Sequence, residues 1–81
     1  MGDNHKSMKF LLTIVMCSSV QGTCLPPHSF EELYPTSYEC MIAGYQKSLD
    51  KTIEIGKGDV NQHGIYMKFD CRGVIPEEEE T

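Results

Sequence analysis

The chain has 81 residues and a net charge of −5 at pH 7, so it forms one small domain at most. At about 60 residues a domain buries only about 60% of its unfolded surface, so a disulfide, a metal or a partner usually supplements the core. The acidic charge excludes nucleic-acid binding, because phosphates would be repelled, and without a run of about 20 apolar residues we expect no stable membrane span.

The N-terminal segment KFLLTIVMCSSVQG, residues 9–22, has two interpretations. A positive flank, an apolar run and small residues before Gly22 are typical of a secretory signal peptide. This order favours a signal peptide with a polar leader over residues 1–22. In the alternative, residues 9–17 form a first strand, because a short apolar run also suits a buried strand.

The choice between these interpretations sets the compartment. Cleavage after Gly22 predicts a secreted or periplasmic protein that keeps Cys24, Cys40 and Cys71, an odd number of thiols. Retention adds Cys17 and predicts a cytoplasmic protein with four cysteines.

Residues 24–36, CLPPHSFEELYPT, contain most of the prolines of the chain. Adjacent prolines favour an extended, polyproline-like path. We therefore predict a linker or surface strap here, whose apolar side chains dock onto a helix.

Residues 37–55 are predicted to form an amphipathic helix. Thr36 and Glu39 match a capping box, in which the Glu39 side chain reaches back to the Thr36 amide, and Gly56 supplies a left-handed stop. Apolar residues recur at helical spacing within about 120° of arc, so this arc is expected to face the core. The arc comprises Tyr38, Met41, Ile42, Tyr45, Leu49 and Ile53.

A short turn and a strand follow the helix. Asp59 is expected to cap a single helical turn that Gly64 closes. The strict alternation in IYMKFDC, residues 65–71, predicts a half-buried strand. Its core side would carry Ile65, Met67, Phe69 and Cys71. Residues 73–81 end in consecutive glutamates and are expected to form a disordered acidic tail.

These elements predict an α+β fold for a cysteine-containing domain over residues 23–72. One amphipathic helix packs on a short strand, and a second strand joins it if the N-terminal segment is retained. A helix of about 28 Å and a returning strand of about 20 Å bring Cys71 close to Cys40. A right-handed crossover would make the two strands parallel and gather all four cysteines at one pole.

The disulfide candidates are Cys17, Cys24, Cys40 and Cys71. Cys40 lies off the apolar arc, on a flank that the proline-rich strap can reach. This geometry favours pairing of Cys24 with Cys40, and leaves Cys71 buried or paired with Cys17. Other pairings stay open, because a sequence alone does not determine connectivity.

Metal binding is a weaker hypothesis. Residues 59–64 resemble the start of an EF-hand calcium loop, but a histidine occupies a ligand position and a strand replaces the exiting helix. The weak calcium candidates are Asp59, Asn61, His63 and Asp70. Zinc ligands are present without close spacing; they are Cys24, His28, Cys40, His63 and Cys71. We predict no cofactor and no catalytic residue, because no nucleophile has an evident base partner.

Three segments carry a family resemblance: TCLPP (23–27), YECMIAGY (38–45) and KTIEIGKGDVNQHGIYMKFDC (51–71). Together they resemble small uncharacterised proteins of marine bacteriophages, over residues 9–72. The resemblance implies a phage or phage-like origin and brings no activity with it.

The leading prediction is therefore a small, non-catalytic, exported module, stabilised by a disulfide and acting through contact with an unidentified protein partner. The second is a cytoplasmic phage accessory protein that retains the N-terminal strand and binds a host target. The third is a metal-binding module.

Overall fold

A computed structural model describes residues 8–76. Within this range the fold is α+β, with a four-stranded antiparallel sheet and two helices. In chain order the elements are β1 (Lys9–Ser18), β2 (Thr23–Cys24), β3 (His28–Tyr34), α1 (Ser37–Ile55), α2 (Lys57–His63) and β4 (Ile65–Val74). The predicted class is confirmed, but a single helix on one or two strands was too few elements.

The predicted leader and tail fall largely beyond the described range. Residues 1–7 of the polar leader and residues 77–81 of the acidic tail lie outside the described residues. The expected boundary at residue 73 is wrong, because β4 continues to Val74 and pairs there with Lys9.

β1 is the central strand of the sheet. Along one edge it pairs over its full length with β4, from Lys9 opposite Val74 to Ser18 opposite Ile65. Its other edge pairs with β3 and then with β2. The N-terminal apolar run is therefore a strand with neighbours on both sides.

The expected parallel pairing of the first and last strands is wrong, because β1 and β4 are antiparallel. The reason lies in the proline-rich segment, which is not a loose strap but contributes β2 and β3. β3 and β4 are both antiparallel to β1, so α1 connects two parallel strands that have β1 between them. The crossover rule applies to β3 and β4, and not to β1 and β4.

The prolines themselves avoid the ladder. Pro26 and Pro27 lie between β2 and β3, where no amide is needed for strand pairing. A register shift between Leu11 and Thr13 marks a bulge where β3 pairs with β1. A bulge absorbs additional residues at the edge of a sheet.

The predicted bounds of α1 are confirmed, and its capping box is confirmed in part. The Thr36 hydroxyl accepts a hydrogen bond from the Glu39 amide at 3.3 Å. The Glu39 carboxylate accepts from the Thr36 hydroxyl and not from its amide. Gly56 ends the helix with φ 98° and ψ 156°, a positive φ outside the left-handed helical region.

α2 is longer than the single turn expected. Its N-cap is Gly56, so the predicted capping role of Asp59 is wrong; Asp59 lies inside the first turn. Gly64 closes the helix in the left-handed conformation, as predicted, with φ 62°. The turn after β1 docks here, because the Ser19 amide donates to the Gly64 carbonyl at 2.9 Å.

α1 packs on the sheet through a different face from the predicted one. Its buried residues are Cys40 and Gly44, and the predicted apolar arc is exposed. A disulfide from Cys40 to Cys71 fixes the rotation of the helix. Gly44 then allows the Phe69 ring to come so close that a Cβ atom at residue 44 would overlap it. The helix therefore packs through a small contact surface.

The predicted alternation of β4 is confirmed. Tyr66, Lys68 and Asp70 are exposed. The residues on the α1 side are partly buried: Ile65, Met67, Phe69 and Cys71. The fully buried apolar core of the described chain is small, and comprises Leu12, Cys17 and Cys40.

Candidate functional site

The four cysteines form two disulfides, Cys17–Cys24 and Cys40–Cys71. The predicted pairing of Cys24 with Cys40 is wrong, because β1 and β2 place Cys17 directly opposite Cys24. The predicted approach of Cys71 to Cys40 is confirmed, with 6.1 Å between their Cα atoms. The lengths of α1 and β4 predict this approach from the sequence, although the favoured pairing left Cys71 buried or bonded to Cys17.

The cysteines do not gather at one pole. Cys71 lies opposite Leu12, whereas Cys17 lies opposite Tyr66. Five residues along β1 separate these positions by about 17 Å. Because side chains alternate along a strand, Cys17 also points away from the face that carries α1 and Cys71. Each face of the sheet thus holds one disulfide, and such crosslinks are typical of proteins in oxidising environments, extracellular or periplasmic.

The weak metal candidates are not brought together. Asp59, Asn61 and His63 lie along α2, where a calcium loop would need an open turn. Asp70 lies on β4 and points to the face opposite α1. Among residues 8–76, no three His, Cys, Asp or Glu side chains are grouped as metal ligands. Three of the zinc candidates, Cys24, Cys40 and Cys71, are in disulfides.

A groove of about 550 Å³ lies between α1 and the sheet, on the β3 side of the helix. Its floor is mainly apolar and is formed by Ile14, Met16, Leu25, Pro26, Phe30 and Met67. Its helical wall is charged and carries Lys47, Asp50, Lys51 and Glu54.

Contacts within the chain engage much of this charge. Lys51 pairs with Glu54 at 3.1 Å. The Lys47 ammonium lies 4.9 Å from the centre of the Phe30 ring, a cation–π distance. The groove can hold an apolar group, and its charged wall contains one ion pair, Lys51–Glu54.

The opposite flank of α1 carries an exposed apolar surface, which we call the α1 stripe. Its members are Tyr38, Met41, Ile42, Tyr45, Leu49 and Ile53. Their exposure ranges from 38% at Met41 to 71% at Tyr38. The Tyr45 ring meets the Phe69 ring edge to face, with 4.8 Å between centres. Because Phe69 belongs to β4, Tyr45 places this part of the α1 stripe on the β4 side of the helix. Contiguous exposed apolar surfaces of this kind mark interaction sites.

The outer edge of β4 lies beside the α1 stripe. In the described part of the chain, β4 pairs with β1 alone. One edge of a ten-residue strand therefore presents unpaired amide and carbonyl groups. The α1 stripe and the β4 edge form one continuous candidate interface.

Sequence reasoning found the residues of this interface without identifying it. The periodicity of the α1 stripe is visible in the sequence, but periodicity does not distinguish a core face from a docking face. The signal that separates them is Cys40 with Gly44, a cysteine and a small residue one turn apart on another face of the same helix.

Comparisons with protein-family models, with curated proteins and with solved structures found no match. Over residues 8–76, neither helix is long and apolar enough to cross a membrane.

Proposed function

We propose that the chain is a small, non-catalytic binding module that acts through protein–protein contact in an oxidising compartment. The observation that carries this proposal is the α1 stripe. Six large apolar side chains on one helix flank are each at least 38% exposed. Complete burial of one such side chain contributes about 1.5–3 kcal/mol, so a partner that covered several of them would gain substantial binding energy.

The proposal includes retention of β1 in the mature protein. Cleavage after Gly22 would remove the central strand and Cys17, and would leave Cys24 without its disulfide partner. Retention together with two disulfides combines the oxidising compartment expected for the cleaved form with the N-terminal strand expected for the cytoplasmic form. The dispersed metal candidates make a metal-binding module the weaker alternative.

The experiment is site-specific photo-crosslinking with the full chain in cells that produce it. A photoreactive amino acid replaces Ile42 or Leu49 in the α1 stripe, and Asp50 in a matched control on the other flank of α1. We expect discrete protein adducts from both stripe positions and none from the control. The absence of protein adducts from both stripe positions contradicts the proposal.

A further inference from the structure

We propose that the partner of this interface is a second copy of the chain. Two chains would pair their β4 edges antiparallel about a twofold axis perpendicular to the sheet, and would pack their α1 stripes against each other. This inference rests on the proposed function of the α1 stripe and names its occupant. Such an interface is isologous, because the same surface is contributed by both subunits.

The charges of β4 select one register for this pairing. With Phe69 at the axis, Lys68 lies opposite Asp70 of the second copy, and this pair occurs twice. With Asp70 at the axis, Lys68 would face Arg72 and Asp70 would face itself. Opposite charges stabilise directly opposed positions and like charges destabilise them. Both registers pair nearly all of Ile65–Val74. The charges therefore favour the register with Phe69 at the axis.

The α1 stripe is self-complementary about the same axis. In an antiparallel pair of helices centred between Tyr45 and Gln46, Ile42 lies opposite Leu49 of the second copy, and Tyr38 lies opposite Ile53. Together with Tyr45, these residues follow spacings of four, three, four and four, so the alternating pattern of a helix–helix seam extends from Tyr38 to Leu49. Tyr45 packs on Phe69 within one chain. The centre of the helical seam therefore lies close to Phe69, the centre of the strand register.

The spacing of the two layers is also compatible. α1 contacts both β4 and β1, so its axis lies over the space between these strands. With neighbouring strands about 4.8 Å apart, that space lies about 5 Å from the twofold axis. The two helices would then be roughly 10 Å apart, within the range of about 8–10 Å for packed helices. Strand pairing and helix packing can form together without rearrangement.

The acidic charge of the chain is compatible with self-association. Asp50 and Glu54 lie on the groove side of α1, away from the axis. Within the seam, the positions beside Tyr45 and Leu49 include Gln46 and Ser48, which are uncharged. Repulsion between more distant charges is screened over about 10 Å at ordinary ionic strength.

The experiment is sedimentation velocity on the full, oxidised chain over a concentration series. We expect a reversible monomer–dimer equilibrium. Lys68→Glu places two carboxylates opposite each other, and Leu49→Lys inserts a charge into the seam. Each should raise the dissociation constant at least about tenfold, which corresponds to about 1.4 kcal/mol. Combining Lys68→Glu with Asp70→Lys restores the opposite-charge pairs, so this double variant should dimerise as the original chain does.

Matched controls separate this interface from general charge and folding effects. Lys57→Glu makes the same charge change on α2, and should leave the dissociation constant unchanged. A circular dichroism spectrum equal to that of the original chain shows that each variant is folded. A chain that stays monomeric throughout the series, or a dimer unaffected by both Lys68→Glu and Leu49→Lys, overturns the proposal.

Failure of this inference is distinguishable from failure of the proposed function. Photo-crosslinks from Ile42 to a different protein, with a monomeric chain in sedimentation, would overturn the dimer and leave the proposed function standing. Adducts of twice the chain mass would support both. A monomer without adducts would overturn both.

Discussion

Gly44 determines how closely α1 approaches the sheet. A Cβ atom at this position would overlap the Phe69 ring, whose Cζ would be only 2.8 Å away. We therefore expect Gly44→Ala to lower the free energy of unfolding by roughly 1–3 kcal/mol, the usual range for overpacking, in spite of the better helix propensity of alanine. Urea denaturation followed by circular dichroism measures the change.

Gly58 provides the matched control. It also lies within a helix, but apart from its chain neighbours and the backbone of its own helix no atom lies within 4 Å of the position where a Cβ would be added. Gly58→Ala should raise the free energy of unfolding by about 0.5–1 kcal/mol, because alanine is the better helix former. Equal effects of the two substitutions would show that Phe69 does not pack against Gly44.

The Tyr34 side chain makes a pH-dependent contribution to the stability of the fold. Burial raises the pKa of Tyr34 above its ordinary value of 10.0, and the nearby Glu32 carboxylate raises it further. This carboxylate accepts a hydrogen bond from the Tyr34 hydroxyl at 3.3 Å. The neutral phenol is favoured in the folded state, so its contribution to stability is present below the unfolded-state pKa and is lost as the pH rises through the folded-state pKa.

Glu32→Gln should lower the pKa of Tyr34, because it removes the negative charge while leaving the burial in place. Glu31→Gln, on the neighbouring exposed residue, is the control and should leave the pKa of Tyr34 unchanged. NMR titration of the Tyr34 ring signals measures both. An unaltered pKa in Glu32→Gln would rule out the contact between Glu32 and the phenol.

At the scale of the structural elements, the two disulfides close loops of different length. Cys40–Cys71 spans 31 residues and Cys17–Cys24 spans 7. In the loop-entropy account these disulfides contribute about 3.7 and about 2.4 kcal/mol. We expect Cys40→Ala with Cys71→Ala to be less stable than Cys17→Ala with Cys24→Ala, by thermal denaturation of both double variants. The reverse order of stability would show that the pairing of β1 with β2 depends on Cys17–Cys24 more strongly than the packing of α1 depends on Cys40–Cys71.

The elements that could be predicted from the sequence are those with local signals. Thr36 with Glu39 and Gly56 gave the bounds of α1, since caps act within one turn of the helix. β3 was missed because Pro26 and Pro27 suggested an extended linker, although they lie just outside the strand. The face that α1 buries depends on contacts with β4, which is distant in sequence, and the apolar periodicity of the helix indicated another face. The pairing of Cys17 with Cys24 was missed because it depends on the β1–β2 hairpin, and β2 was not predicted.

For the whole molecule, the state of the N-terminal segment and of the thiols can be read from one intact-mass measurement. We expect a chain that includes residues 9–22, and a mass that rises by four hydrogens on reduction, since two disulfides open. Digestion without reductant should link peptides containing Cys17 and Cys24, and Cys40 and Cys71. A mature chain that begins at Thr23 would restore the signal-peptide interpretation and remove β1 from the fold.

The position of β1 has a consequence for how the protein is made. The central strand is synthesised first, but β4, its full-length neighbour, is synthesised near the end. Contacts between segments so far apart in sequence close slowly. The β1–β2 hairpin needs only a short chain closure, so Cys17 and Cys24 can meet before β4 joins the sheet. Early pairing of Cys17 with Cys24 would leave Cys40 and Cys71 to pair with each other when the sheet is completed.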